Sequence, residues 1–241
     1  MKIYILILAV LPVIIFSGWI YFEDRYEKEP IFKLIEYFLL GILVSILAIV
    51  LELYFCKLNI FSGIGEIIYI SFFVASFTEE GLKCVILIPI LLKDKCFDEK
   101  LDGIIYSVFL SLGFATIENI IYLMRERLDL SFGLGIARGL ISIPSHIMFA
   151  ITMGYYISKY KFCNKDDKKN KYLIYAIVIP ILFHGVFDFI LMIGYRWAII
   201  VFIVYIILLW KMNLDKLDKY ALYSKIRFYK RKNKSREEDK H

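Results

Sequence analysis

Glu79, Glu80 and Lys83 stand inside a long apolar run, in Phe77-Thr78-Glu79-Glu80-Gly81-Leu82-Lys83. On a helix the two carboxylates precede the ammonium by four and three residues, so both can reach it. An ionised Asp or Lys at the centre of a membrane helix costs about 2.5–3.5 kcal/mol on the insertion scale, so such groups must pair, face water or do chemistry. Further apolar runs carry more of them. Glu118 is followed by Asn119 and shares a helical face with Phe114. His146 follows Pro144, and His184 follows Pro180 and precedes Asp188 by one helical turn. Arg138, Ser142 and His146 form a stripe at four-residue spacing. Rise per residue puts Arg138 near the depth of Glu118, which allows a pair; snorkelling of Arg138 to the interface is the alternative.

Carboxylates and imidazoles converging in a low-dielectric bundle can hold a divalent metal, which cancels much of their mutual repulsion. A metal-activated water beside a carboxylate base is a general device for amide hydrolysis. Plainer readings compete: a structural ion pair for Glu79, Glu80 and Lys83, and interhelical hydrogen bonding for Glu118 and for each histidine. Two histidines in mid-span, on helices weakened by proline, favour a hydrated pocket, because proline frees carbonyls that need new partners. The soluble zinc-protease pattern HExxH is absent. Spacing alone leaves the ligand set and the base open.

The elements that must position these groups are membrane helices. Of the 241 residues 60% are hydrophobic and the mean hydropathy is +0.66, more apolar surface than one soluble core can hide. Apolar segments near 3–22, 34–55, 64–92, 103–124, 133–158, 172–194 and 197–210 predict an all-α, polytopic integral membrane bundle of about seven helices in a lipid bilayer. The last is short for a span. The first exceeds a signal-peptide core and lacks a cleavage site, so it reads as an uncleaved span. Residues 1–210 are expected to form the membrane domain and 211–241 a basic tail. The segment 159–171 and the final ten residues read as polar and mobile.

The net charge of +6 is unevenly spread. Arg25, Lys28, Lys33, Lys93, Lys95, Lys100, the 159–171 cluster and the tail fall on one side. Lys2, Lys57, Arg125, Arg127 and Arg196 fall on the other. The positive-inside rule then makes the amino terminus extracellular and the tail cytoplasmic, where basic residues meet anionic lipid. No nucleic-acid recognition motif accompanies the basic run, and no nucleic acid is expected as a partner. Cys56, Cys84, Cys96 and Cys163 form no CxxC pair and read as thiols without a catalytic role. A transporter would also keep intramembrane acids, but the paired repeats common in such folds are not visible. A non-catalytic sensor or scaffold is a third class.

Taken together, Glu79-Glu80-x-x-Lys83, Phe114-x-x-x-Glu118, His146 and His184-x-x-x-Asp188 resemble the pattern of the PrsW family of bacterial intramembrane proteases. The flanks Asp24-Arg25-Tyr26-Glu27-Lys28-Glu29-Pro30 and Phe97-Asp98-Glu99-Lys100-Leu101-Asp102-Gly103 agree; Ile147 departs, standing where a small residue is expected. The family is grouped with metalloproteases and is distantly similar to the CAAX-processing proteases. The resemblance implies site-one cleavage of a membrane-anchored anti-sigma factor on its extracytoplasmic side, leading to sigma-factor activation, with a divalent metal, zinc being the expected ion. It further implies Glu79 and Glu80 as catalytic candidates, and Glu118, His146 and His184 as metal-site residues. Asp188 would be a ligand or would hold one, and Lys83, Arg138 and Asn119 would support the site.

Overall fold

The computed structural model describes residues 3–125, 131–164 and 166–238. Lys2, Arg127 and the last three tail positions, which entered the charge count, lie outside them. Among the described residues every regular element is helical. α1 (Ile3–Glu23) and α2 (Ile31–Lys57) are followed by a rod built of α3 (Ile64–Ile68), the π-helix π1 (Tyr69–Phe77) and α4 (Thr78–Lys93). Next come α5 (Lys100–Arg125) and a second composite rod of α6 (Ser131–Ala137), the π-helix π2 (Arg138–Ser142) and α7 (Ile143–Lys161). α8 (Asp166–Met192) and α9 (Ala198–Glu238) complete the chain. Among the described residues six stretches are long and apolar enough to cross a membrane, in α1, α2, α5, the α6–α7 rod, α8 and α9. The rod from 64 to 93 is the remaining helical segment, broken by π1 and carrying the three charges. The protein is thus an all-α, multi-pass membrane bundle.

Burial sorts the helices into a centre and a rim. In α5 and the α6–α7 rod 78% of the apolar window is buried, against 17% in α1 and α9. α5 lies between α2 and α7, and glycines set those crossings. A methyl group on Gly41 of α2 would lie 1.9 Å from the Leu110 carbonyl oxygen, and one on Gly113 of α5 1.9 Å from that of Phe38. Gly103 of α5 and Gly154 of α7 oppose each other in the same way, with 2.1 Å left between an added Cβ on Gly154 and the Gly103 oxygen. Helices in lipid gain no hydrophobic drive from meeting each other, so close backbone packing at small residues holds them together.

Three expectations about boundaries need correction. α7 runs to Lys161 and α8 begins at Asp166, so the polar segment 159–171 is largely helical. A membrane span supplies the costly helix nucleus, and a polar extension then propagates it cheaply. For the same reason α9 passes through position 210 without a break and continues to Glu238. The segment 197–210 is therefore not a short span but the start of a 41-residue helix. Its second half also docks on the bundle. Leu217, Tyr220 and Ser224 are buried, Asn213 Oδ1 accepts a 2.5 Å hydrogen bond from Thr152, and Arg227 lies 2.9 Å from Asp98, 3.7 Å from Glu27 and 3.8 Å from Glu99. Arg231 adds a 3.0 Å pair to Glu27.

Candidate active site

Both π-helices lead directly into chemistry-bearing residues. π1 ends one residue before Thr78-Glu79-Glu80. Its loosened carbonyls take side-chain donors: Ser71 Oγ to Ile67 at 2.7 Å, Ser76 Oγ to Phe72 at 3.0 Å and Thr78 Oγ1 to Phe73 at 3.3 Å. Tyr69, Phe73 and Phe77 stack at 5.4 and 5.5 Å along one side. π2 precedes Pro144, which has no N–H for the carbonyl four residues back. The helix widens there, and the Ile143 N–H reaches back five residues to Arg138. Wide turns of this kind recur at functional sites because they re-aim the residues that follow.

Downstream of these turns the ionisable groups meet. Lys83 Nζ, 1% exposed, lies 2.6 Å from Glu80 Oε1, 3.5 Å from Glu79 Oε2 and 3.4 Å from His146 Nδ1. It also sits 3.9 Å above the Phe114 ring, the residue that shares a face with Glu118. Glu118 Oε2 approaches His146 Nε2 at 2.7 Å. Its other oxygen accepts from Arg138 Nη2 at 2.7 Å, while Arg138 Nε donates to Asn119 Oδ1 at 2.6 Å. The pair between Arg138 and Glu118 that the sequence allowed is thus present. Asn119 in turn donates to the Ala9 carbonyl of α1 at 3.3 Å.

On α8, His184 Nδ1 faces Glu80 Oε1 at 3.2 Å and Nε2 faces Asp188 Oδ2 at 3.3 Å. Phe149 stacks on the imidazole at 5.0 Å, and the two histidine rings stand 5.4 Å apart. Gly185 lets α8 approach this closely, since a Cβ there would come within 2.3 Å of the Phe72 ring. Every candidate residue read from the sequence thus enters one connected network.

The network borders a cavity of about 470 Å³. Glu79, Glu118, Arg138, His146, His184 and Asp188 line it; Glu80 and Lys83 lie behind that wall. Among the described residues two triads offer ligand atoms mutually within 4.8 Å: Glu79, Glu80 and His184, and Glu79, Glu118 and His146. Glu79 belongs to both, and Asp188 to neither. Glu79 Oε2 and Glu80 Oε2 are buried without a hydrogen-bond partner. Buried acceptors left unpaired are expensive, and a cation among them would satisfy both, so the donor set fits a divalent metal. One lining acid, Glu52 of α2, was missed from sequence. Its signal was a lone acid in the otherwise uncharged stretch between Glu36 and Lys57 of α2.

Comparison with known proteins agrees with this geometry. The family model described as PrsW family intramembrane metalloprotease matches residues 29–212. A protein named Protease PrsW from Clostridioides difficile (strain 630) is 58% identical over 229 residues, 95% of this chain and 96% of that one. Others of the same name are 34% identical in Oceanobacillus iheyensis, over 89% of this chain and 95% of that one, and 32% in Bacillus subtilis (strain 168), over 88% and 93%. Among solved structures nothing matches. A multi-pass helical bundle with acids and histidines gathered at a buried cavity, matched along most of its length by that model, belongs to the PrsW family of intramembrane metalloproteases and is a membrane-embedded protease.

Proposed function

We propose that the chain performs site-one cleavage of a membrane-anchored anti-sigma factor, with Glu79 as the general base. The observation that carries the assignment of roles is the contrast between the two glutamates. Glu79 lines the cavity and lies 3.5 Å from Lys83, whereas Glu80 is 0% exposed, stands behind the cavity wall and is held against Lys83 at 2.6 Å. A base must reach the proton it takes, and only Glu79 faces the space a substrate would enter. Glu80 then holds Lys83 and His184 in place. Lys83 keeps the charge of both carboxylates balanced within the fold.

Glu118 and His146 of one triad and His184 of the other are the residues that would hold the ion, beside the Glu79 that both triads share, with zinc the fitting choice for a nitrogen-and-carboxylate set. The ion would supply Lewis acidity at the scissile carbonyl. Arg138, itself held by Asn119, fixes the Glu118 carboxylate, and Asp188 accepts from His184 Nε2, which leaves Nδ1, beside Glu80 Oε1, as the nitrogen that would face the ion. The surrounding helices exclude bulk water, which strengthens each of these interactions.

The anti-sigma substrate follows from the family resemblance, and an extracellular amino terminus follows from the charge asymmetry of the loops. With that orientation, Glu118 and Asp188 lie nearer the outer ends of α5 and α8 than the inner ends, so the cavity opens outward. Co-expression with tagged anti-sigma factors tests the reading. Cleavage with a new terminus on the outer side of the substrate span is expected, and it is lost in Glu79→Gln and His184→Ala protein that still inserts. A verified substrate cut equally well by both variants, or cut on the inner side, would overturn it.

A further inference from the structure

Glu52 of α2 is an acid in the cavity wall that neither ligand triad includes. It is half-buried and makes no hydrogen bond or ion pair with any described residue. The ionisable groups that act on it are Glu118 first, then His184 and Lys83, and last Asp188.

The charges around the cavity show what it lacks. The carboxylates are Glu52, Glu79, Glu80, Glu118 and Asp188, and the fixed cations are Lys83 and Arg138. Arg138 is already held by Glu118 and Asn119, and Lys83 by Glu80 and Glu79. With neutral imidazoles a divalent ion would balance two further acids, and one carboxylate remains. Glu52 is the one with no partner. An unpaired carboxylate in a low-dielectric wall favours any occupant that brings a cation to it.

We propose that Glu52 is a specificity residue that receives a lysine or arginine side chain of the substrate close to the scissile bond. The inference rests on the active site lying in this cavity. Glu52 and Glu79 line the same space, so a peptide whose backbone lies at Glu79 can extend a long cationic side chain to Glu52. Arginine suits the position best, because its planar fork can engage a carboxylate through two hydrogen bonds. The substrate class is therefore a single-span protein with a basic residue beside the cut.

The full-length, metal-loaded protein in nanodiscs tests this with synthetic single-span peptides. The peptides differ at one position, scanned through the outer third of the span, which carries arginine, norleucine or glutamate. Binding is read by fluorescence in a Glu79→Gln background that keeps the peptides intact. At one position the arginine peptide should bind about tenfold tighter than the norleucine peptide. Glu52→Gln should remove that preference, and Glu52→Lys should turn it towards glutamate, which a merely structural role would not do. Equal binding of all three peptides, or a preference that survives Glu52→Gln, overturns the proposal. Cleavage by protein with Glu79 intact is scored separately, so a misplaced active site shows as cutting that persists in Glu79→Gln, whatever the binding result.

Discussion

Replacing Lys83 with methionine keeps the length of the side chain and removes its charge, leaving Glu79 and Glu80 without their shared cation. At 2.6 Å and 3.5 Å, the Coulomb attraction with an effective dielectric near 20 is about 6 and about 5 kcal/mol. Much of that is offset by the desolvation of a side chain that is 1% exposed, so the net cost follows the range for removing one partner of a buried pair, about 3–5 kcal/mol. Lys83→Met should therefore unfold at markedly lower denaturant and should not cut. The companion Lys83→Met/Glu80→Gln removes one of the two stranded charges. Its amide can donate to His184 Nδ1, which lies 3.2 Å from Glu80 Oε1. About 1–3 kcal/mol should return, as expected for residues in contact, while activity stays absent. Unfolding of purified protein in mixed micelles gives the stability, and cleavage of a tagged substrate gives the activity. Lys83→Met protein as stable as the parent, or a double variant no more stable than Lys83→Met, would refute the shared-cation account.

Chelation should abolish cleavage and lower the melting temperature, because an ion bound only by the folded state stabilises it; Glu118→Gln protein should melt at the same temperature with and without chelator. Gly154→Leu should block assembly of α5 against α7, given the 2.1 Å left beside the Gly103 oxygen, and size-exclusion profiles in detergent would show loss of the monodisperse peak. At the charged end of the bundle burial pushes Asp24 up to about 6 and Glu29 and Glu99 up to about 7. The folded state then holds protons that the unfolded chain releases, so their contribution is complete below the ordinary carboxyl range and lost as pH rises through about 6–7. Melting should accordingly fall between pH 5.5 and pH 8, and Glu99→Gln should shrink that fall; a flat profile in both proteins would contradict the buried-acid account.

The long spans were legible because hydrocarbon imposes helix on any apolar run, whatever its neighbours. Glu79, Glu118, His146 and His184 were legible for the complementary reason: ionisable groups in such runs are too costly to be accidental. The π-helices were not, since Tyr69–Phe77 and Arg138–Ser142 have ordinary helical composition apart from the proline that follows the second. Glu52 escaped notice because it stands by itself, without a second charge at helical spacing. The glycine contacts escaped because Gly41 with Leu110 and Gly103 with Gly154 are far apart along the chain, and neither pair shows in a local pattern. The sequence did not show which of the adjacent Glu79 and Glu80 faces the cavity. That is a matter of helix rotation, which the π-turn before them resets.

The pair between Arg231 and Glu27 joins residues 204 positions apart. A ribosome working at about 5–20 residues per second needs roughly 10–40 s to cover that distance. Throughout that interval Glu27 has been made but lacks its arginine partners, and with Asp98 and Glu99 it waits for a helix that does not yet exist. Closure of the charged end of the bundle is thus a late event in biosynthesis, set by the emergence of α9. A nascent chain stalled before Arg227 would have most of its membrane helices and both Glu79 and Glu80, with that end still open.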